Sequence, residues 1–429
     1  MTKQWKASTL AVQGGYSPDE TGARTLPIYQ TTAFEFQNAD HAANLFNLKE
    51  FGNIYSRIMN PTVAAFEEKV NLLEGGVGGL ATASGQAAIT LAILNICQAG
   101  QHIVAASTLY GGTYTLLGTT LKKLGIEVSF VDPDADLDEI RKSFRPETRA
   151  IFAETIGNPS LNILDFKKFS QLAEEEQVPL IIDNTFATPA LCRPLDHGAN
   201  IVVYSATKYI SGHGNSLGGI IVDGGNFDWN NGKFPELTEP DPSYHGIRYV
   251  EAFANQAYIL KARVQLLRDI GPCISPFNAF LMNMGLETLP LRMKKHSENA
   301  LALAQYLEAH DEVSWVRYPG LKSHQSYSFS QDYFVNGSSG MLAFGIKGGL
   351  EAGKSFINNV ELASLVANVG DTRTLVIHPA STTHSQLTPE QQLASGVTQD
   401  LVRVSVGIED IEDIIADFEQ ALGRINQAE

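Results

Sequence analysis

Cysteine is scarce in this chain: Cys97, Cys192 and Cys273 are its only three, and no two stand close enough to make a CxxC pair. That spacing excludes a disulfide framework and a cysteine-rich zinc site, and it fits buried thiols in a reducing, cytoplasmic compartment. Histidine offers no metal site either, since His378 and His384 lie far from HExxH spacing. A GxSxG nucleophile elbow is missing, which removes the main support for a Ser/His/Asp hydrolase. No apolar run reaches the length of a membrane span, and MTKQWKASTLAVQGG lacks the apolar segment of a signal peptide. The expectation is a cytoplasmic protein. Basic residues are outnumbered 31 to 47, giving a net charge of -16, and no Lys/Arg cluster interrupts that excess. A nucleic-acid surface is excluded on those grounds. Fixed-period repeats and low-complexity tracts are absent as well.

At 429 residues the chain exceeds one ordinary core. Residues 1–61 are rich in turn formers and read as an irregular arm contacting a neighbouring subunit. The arm ends where Asn60 can cap a helix and Pro61 can take its first position, with Val63, Phe66 and Val70 recurring at helical spacing. Then seven short apolar runs alternate with helical segments: GLATAS, HIVAAS, IEVSFVD, RAIFAET, PLIIDNT, NIVVYS and GGIIVD. Near-continuous apolar runs mark strands covered on both faces, so the fold class is α/β, a three-layer and mostly parallel sheet. Residues 62–270 form this domain, and 271–429 read as a smaller α+β domain with strands in MLAFGIKG and LVRVSVGI. The Gly-, Pro- and Asn-rich stretch 224–245 reads as a surface loop, with a lid over the site as the alternative.

Ligands bind at the carboxyl ends of such strands, and there the chemistry concentrates. Lys208 follows IVVYSAT, and Asp183 ends PLIID. An amine for an aldehyde and a carboxylate for a ring nitrogen are what pyridoxal phosphate requires. A solvated surface position is the ordinary fate of lysine, but Lys208 sits at a strand end just before Gly-His-Gly. Asp183 alone reads equally well as an Asx turn; the strand that separates it from Lys208 favours the cofactor role. Ser84-Gly85-Gln86 opens a helix after a strand and could cradle a phosphate, although a plain serine-capped turn has the same appearance. Tyr110, just past HIVAAS, could stack on a planar ring and assist proton transfer, or be a core tyrosine. Arg57 and Arg403 suit phosphate or carboxylate, with an exposed ion pair as the alternative for each.

Seven motifs, YSRIMNPT, TASGQAA, TLYGGTY, ETIGNPS, DNTFATP, YSATKYISGHG and VRVSVGIED, together resemble the Cys/Met-metabolism family of fold-type I pyridoxal-phosphate enzymes over nearly the whole chain. The O-acetylhomoserine sulfhydrylases are the group it resembles most. The resemblance implies that Lys208 bonds the cofactor, Asp183 pairs with the pyridine nitrogen and Tyr110 stacks on the ring. Gly85 and Gln86 would offer N–H groups, and Ser205 and Thr207 hydroxyls, to the phosphate. Tyr55 and Arg57 would reach the phosphate of a neighbouring subunit, with Tyr55 also near the substrate. Asn158, Asn368 and Arg403 would hold the substrate carboxylate or the cofactor's phenolic oxygen. Gly111, and SGHGNSLGG in place of a GHSD-like sequence, separate the chain from the γ-lyases and cystathionine synthases, the alternatives within the family. The implied reaction converts O-acetyl-L-homoserine and sulfide, or methanethiol, into homocysteine, or methionine, and acetate. The implied assembly is a homotetramer of dimers that share active sites, with small molecules as its only other partners and no metal. A non-catalytic cofactor carrier is the rival from another class, and it would not need Lys208, Asp183, Tyr110 and Arg403 together.

Overall fold

The computed structural model describes residues 5–383, 385, 386, 388, 392 and 396–425; His384 lies outside them. All seven apolar runs are strands of one sheet: β1 (Gly78–Thr82), β2 (His102–Ala106), β3 (Glu127–Val131), β4 (Thr148–Glu154), β5 (Leu180–Asp183), β6 (Ile201–Tyr204) and β7 (Gly219–Asp223). Their spatial order is β1-β7-β6-β5-β4-β2-β3. Only β7 is reversed, pairing antiparallel with both β1 and β6, while β6, β5, β4, β2 and β3 pair in parallel. Helices cover both faces, so a strand such as β6 is buried throughout and has no need for alternating polarity.

Local chemistry fixes the helix starts. Asn60 accepts from Thr62 N and Val63 N, Pro61 takes the first helical position, and helix α3 (Pro61–Glu74) runs until Gly75 closes it in the left-handed region. Two shorter helices precede it, α1 (Ala7–Gln13) and α2 (Ala39–Phe46), so the arm is less irregular than its composition suggests. Helix α1 packs against α3 and against the helices Pro276–Glu287 and Leu289–Glu308 of its own chain. Further along, the arm is tied to its own chain by Thr62 Oγ1 donating to Pro27 O and Asn60 Nδ2 donating to Tyr29 O.

A second sheet lies in the C-terminal part, ordered β10-β11-β12-β9-β8. Its strands are β8 (Val313–Arg317), β9 (Met341–Ile346), β10 (Ser364–Leu365), β11 (Leu375–Ile377) and β12 (Leu401–Ser405). The helix Leu289–Glu308 joins the two hydrophobic cores: Leu289 and Met293 belong to the first, Leu303 and Leu307 to the second.

The stretch 224–245 follows the reversed strand β7 and so begins at the sheet edge opposite the ends of β4, β5 and β6. Trp229, Phe234 and Leu237 are buried, and Trp229 stacks on Tyr258 at 5.3 Å. Lys233 Nζ donates to Glu176 O at 2.6 Å and Asn226 Nδ2 to Ala199 O at 3.0 Å, both just ahead of parallel strands. Its glycines and prolines serve turns, while its aromatic residues anchor it.

Arg263 joins three parts of the fold. Its guanidinium donates to Ile58 O at the end of the arm, to Gly79 O in β1 and to Glu67 Oε2 in α3. Glu67 Oε1 in turn accepts from Ala81 N at 2.8 Å. Removing one member of a buried, hydrogen-bonded ion pair strands the other charge and costs about 3–5 kcal/mol. Arg263→Met is therefore expected to lower stability by that order in chemical denaturation, well beyond the roughly 1 kcal/mol of removing the cap in Asn60→Ala. Equal losses would contradict this account of Arg263.

Candidate active site

The carboxyl ends of the parallel strands open into a cavity of about 240 Å³. It is lined from five strand ends at once: Ser84, Gly85 and Gln86 after β1, Tyr110 after β2, Glu154 and Asn158 from β4 onward, Asp183 at β5, and Ser205, Thr207 and Lys208 after β6. The C-terminal part adds Asn368 and Arg403. Ten of the predicted site residues thus meet in one place.

Helix α4 (Gly85–Leu94) begins at Ser84, whose side chain accepts from Ala87 N. Gly85 N and Gln86 N have no hydrogen-bond acceptor among the described residues, as expected for the first turn of a helix. A Cβ on Gly85 would lie 2.6 Å from Ser205 Cβ, so only glycine lets the two loops meet here. The result is a small cup of N–H groups suited to an anion. Ser205 borders the cup. Thr207 borders the cavity too, but its hydroxyl donates to Gly218 O and accepts from Gly218 N. Its hydroxyl is thereby engaged in fixing the loop before β7.

Asp183 Oδ1 accepts from the Thr185 hydroxyl at 2.5 Å and from Thr185 N at 3.0 Å. Burial pushes its carboxyl up to about 6 against the lowering effect of those two bonds. It is an anion at neutral pH, with Oδ2 free of any donor among the described residues. Lys208 Nζ donates to Asn368 Oδ1 at 2.6 Å. Burial first, and Arg403 second, bring the Lys208 amine down to about 8. A substantial neutral fraction makes it a competent nucleophile and proton carrier.

Arg403, on β12, is buried, which lowers its guanidinium from the ordinary value while Tyr110 and Tyr209 oppose the shift. Its Nη1 donates to Asn158 Oδ1 at 3.4 Å. The sequence left an exposed ion pair open for Arg403; the structure turns it inward. Tyr110 is half exposed at the mouth, so the core-tyrosine alternative fails, and its backbone N donates to Glu154 Oε1 at 2.7 Å.

Tyr55 and Arg57 do not line this chain's cavity. Arg57 lies over the exposed Tyr55 ring at 5.5 Å. None of residues 224–245 lines the cavity either, so that stretch is not a lid over it in the same chain. Reasoning from sequence missed Glu154 and Thr185. Both stand inside the quoted motifs ETIGNPS and DNTFATP, and Glu154 ends an apolar run just as Asp183 does.

The chain is also similar to known proteins over nearly its whole length. The family model described as "Cys/Met metabolism PLP-dependent enzyme" matches residues 8–423. The chain is 54% identical to an O-acetyl-L-homoserine sulfhydrylase of Leptospira meyeri, over 99% of this chain and 98% of that one. It is 50% identical to a homocysteine synthase of Schizosaccharomyces pombe, over 96% and 97% of the two chains. A crystal structure from Campylobacter jejuni, described as a candidate O-acetylhomoserine (thiol)-lyase, carries N'-pyridoxyl-lysine-5'-monophosphate. It superposes with a TM-score of 0.94 at 40% identity, covering 98% of this chain and 100% of that one. The N–H cup, the unengaged oxygen of Asp183 and the more readily deprotonated Lys208 amine fit pyridoxal phosphate at its three anchoring points: phosphate, ring nitrogen and aldehyde.

Only the neutral amine attacks an aldehyde, so its rate of capture follows the Lys208 titration. Stopped-flow mixing of cofactor-free protein with pyridoxal phosphate is expected to reach half its limiting rate near pH 8 and to level off about one unit above that. In Arg403→Met the nearby positive charge is gone, the ammonium form is less disfavoured, and the plateau moves to higher pH. A rate that keeps climbing toward pH 10 in the parent protein, as for an ordinary lysine, would contradict the assignment.

Proposed function

We infer that the chain, which belongs to the Cys/Met metabolism PLP-dependent enzyme family, makes homocysteine from O-acetyl-L-homoserine and sulfide. The observation that carries the inference is the convergence of Lys208, Asp183, Tyr110 and Arg403 on one cavity in a chain so similar to sulfhydrylases. Bound pyridoxal phosphate supplies an electron sink for a carbanion at the substrate's α-carbon. The residues of the chain do the rest.

Arg403 grips the α-carboxylate with its planar fork, and Asn158 orients the guanidinium. Lys208, released from Asn368, takes the α-proton and returns it at the end. Asp183, anionic above about pH 6, keeps the ring-nitrogen proton in place. Tyr110, at the mouth of the cavity, would cover the ring and would be placed to pass a proton as the γ-substituent changes. In the overall exchange the Cγ–O bond breaks with acetate leaving, and a Cγ–S bond forms from sulfide. With methanethiol the same exchange yields methionine.

The choice of ester and thiol follows from charge. Among the described lining residues Lys208 and Arg403 are the only cations. With Arg403 committed to the α-carboxylate and Lys208 to the aldehyde and the α-proton, a succinyl ester or a cysteine nucleophile would bring in a further carboxylate with no remaining cation to meet it, at a steep desolvation cost. An acetyl ester and a small thiol avoid this.

Among the described residues, none beside the N–H cup offers the phosphate a cation of its own. We assign that role to Arg57 of a second copy, with Tyr55 beside it, in a cytoplasmic homotetramer built from dimers that share sites. Tyr55 and Arg57 lie outside their own cavity, which supports the assignment.

The direct test is product analysis. Protein loaded with pyridoxal phosphate is expected to show a visible absorbance band that shifts with O-acetylhomoserine and to form homocysteine and acetate when sulfide is added. Cystathionine from cysteine as the main product would overturn the choice of thiol. Arg403→Ala should raise KM for O-acetylhomoserine roughly 10- to 100-fold, the loss of a charge-assisted contact, with a smaller change in kcat. Arg57→Ala and Lys208→Ala proteins, each inactive alone, should regain activity when mixed and allowed to exchange subunits. Persistent inactivity would refute shared sites.

A further inference from the structure

We propose that Glu154 is a positioning residue that acts as a neutral carboxylic acid: its carbonyl oxygen fixes Tyr110 through the backbone N–H, and its lack of charge leaves Asp183 the single anion among the described residues that line the cavity. The proposal rests on the reading of the site as a pyridoxal-phosphate site, and it adds a residue to which neither motif nor spacing had given a role.

Glu154 and Asp183 are the last residues of neighbouring parallel strands and stand directly opposite each other in register. Both carboxyls are withdrawn from water and both border the cavity. Two carboxylates so close in a dry setting do not both ionise; one keeps its proton. The surroundings decide which one. Asp183 Oδ1 receives two donors from Thr185, stabilising its charge. Glu154 receives one, the Tyr110 N–H at 2.7 Å. The groups that act on Glu154 are Asp183 from β5, which opposes its ionisation, and that single N–H from the segment after β2; no cation contributes. Lys208 and Arg403, the cations of the cavity, act on each other instead. Burial and Asp183 together push the Glu154 carboxyl well above its ordinary value, consistent with the geometry.

A protonated carboxyl divides its two oxygens into an acceptor and a donor. Oε1 accepts the Tyr110 N–H, leaving Oε2 to carry the proton. Tyr110 directly precedes the short helix α5 (Gly111–Thr115), and its side chain does not cap that helix. The bond from Glu154 therefore holds the backbone that aims the tyrosine ring. An ionised Glu154 would accept the same N–H, but it would set a second negative charge beside Asp183.

Glutamine reproduces the neutral acid in shape and in acceptor, whereas alanine removes the acceptor. Two measurements follow. The first needs no cofactor: the infrared difference spectrum of Glu154→Gln against the parent, both cofactor-free at neutral pH, should lose a protonated-carboxyl band. Loss of ionised-carboxylate bands instead would overturn the proposal. The second is the pyridoxal-phosphate dissociation constant together with the steady-state rates. Glu154→Gln should stay close to the parent in both, while Glu154→Ala should bind roughly tenfold more weakly, the loss of one buried hydrogen bond. Glu154→Gln as impaired as Glu154→Ala, or Glu154→Ala indistinguishable from the parent, would each overturn it. Should Glu154→Ala not fold, the infrared result and the glutamine variant still decide. A parent that binds no pyridoxal phosphate would refute the cofactor reading instead, and the infrared band would still report on Glu154.

Discussion

Withdrawing one amine from water at the seam between two sheets is the constraint on which the site depends. Lys208 follows β6 of the first sheet, yet its hydrogen-bond partner and its nearest charge come from the C-terminal part. Asn368 Oδ1 accepts a hydrogen bond from the amine, and Arg403 reaches in from β12. Gly370, in the left-handed region, packs so tightly that a Cβ there would lie 2.6 Å from Tyr209 N and 3.1 Å from Lys208 Cβ. Arg292, buried in the helix Leu289–Glu308, donates to Tyr209 O and Ile210 O and pins the chain just past the lysine. The C-terminal part is thus integral to the site. It supplies the desolvation, the acceptor and the nearby charge that together set the amine's reactivity.

The first sheet contributes by direction. Parallel strands send all their carboxyl ends to one edge, so residues tens of positions apart in sequence become neighbours without further cost. β4, β5 and β6 are adjacent in space as in sequence, which places Glu154, Asp183 and the turn bearing Lys208 side by side. The reversed strand β7 brings Gly219 to the same edge, opposite Thr82, where the turn into α4 begins. One sheet edge therefore holds the N–H cup, the carboxyls and the lysine, and crossover helices fix their spacing.

Much of this was legible in the sequence, for a physical reason. Strands buried on both faces are continuous apolar runs, and IVVY or LIID admits few other readings. Asn60-Pro61 is unambiguous because capping and a fixed φ act locally. The second sheet was harder to read. β8 mixes Val313, Trp315 and Val316 with serine and arginine, and β10 is two exposed residues whose pairing partner is not local. The stretch 224–245 is the surface loop its composition suggests, but its glycines and prolines gave no hint of the anchoring by Trp229 and Phe234. Arg403 was found on its strand, but its inward turn depends on how two sheets pack, which no local pattern records. Glu154 was overlooked although it obeys the rule that exposed Asp183: an acid ending a wholly apolar run has nowhere to be but a site or a satisfied turn.

The partner of Lys208 settles why an amide stands there and not an acid. Asn368 Oδ1 lies 2.6 Å from Nζ, close enough to orient the amine and block other placements. A carboxylate at that position would add direct charge attraction. Even at 4 Å and an effective dielectric constant near 20, two opposite unit charges attract by about 4 kcal/mol. Since each pKa unit is worth about 1.4 kcal/mol, such a pair would raise the amine by roughly three units. That would cancel the shift burial produces and return Lys208 to the range of an ordinary, permanently charged lysine. An amide accepts the proton through a dipole alone, so it holds the amine without charging it. The site needs an orienting group that does not also protonate, and asparagine meets both conditions.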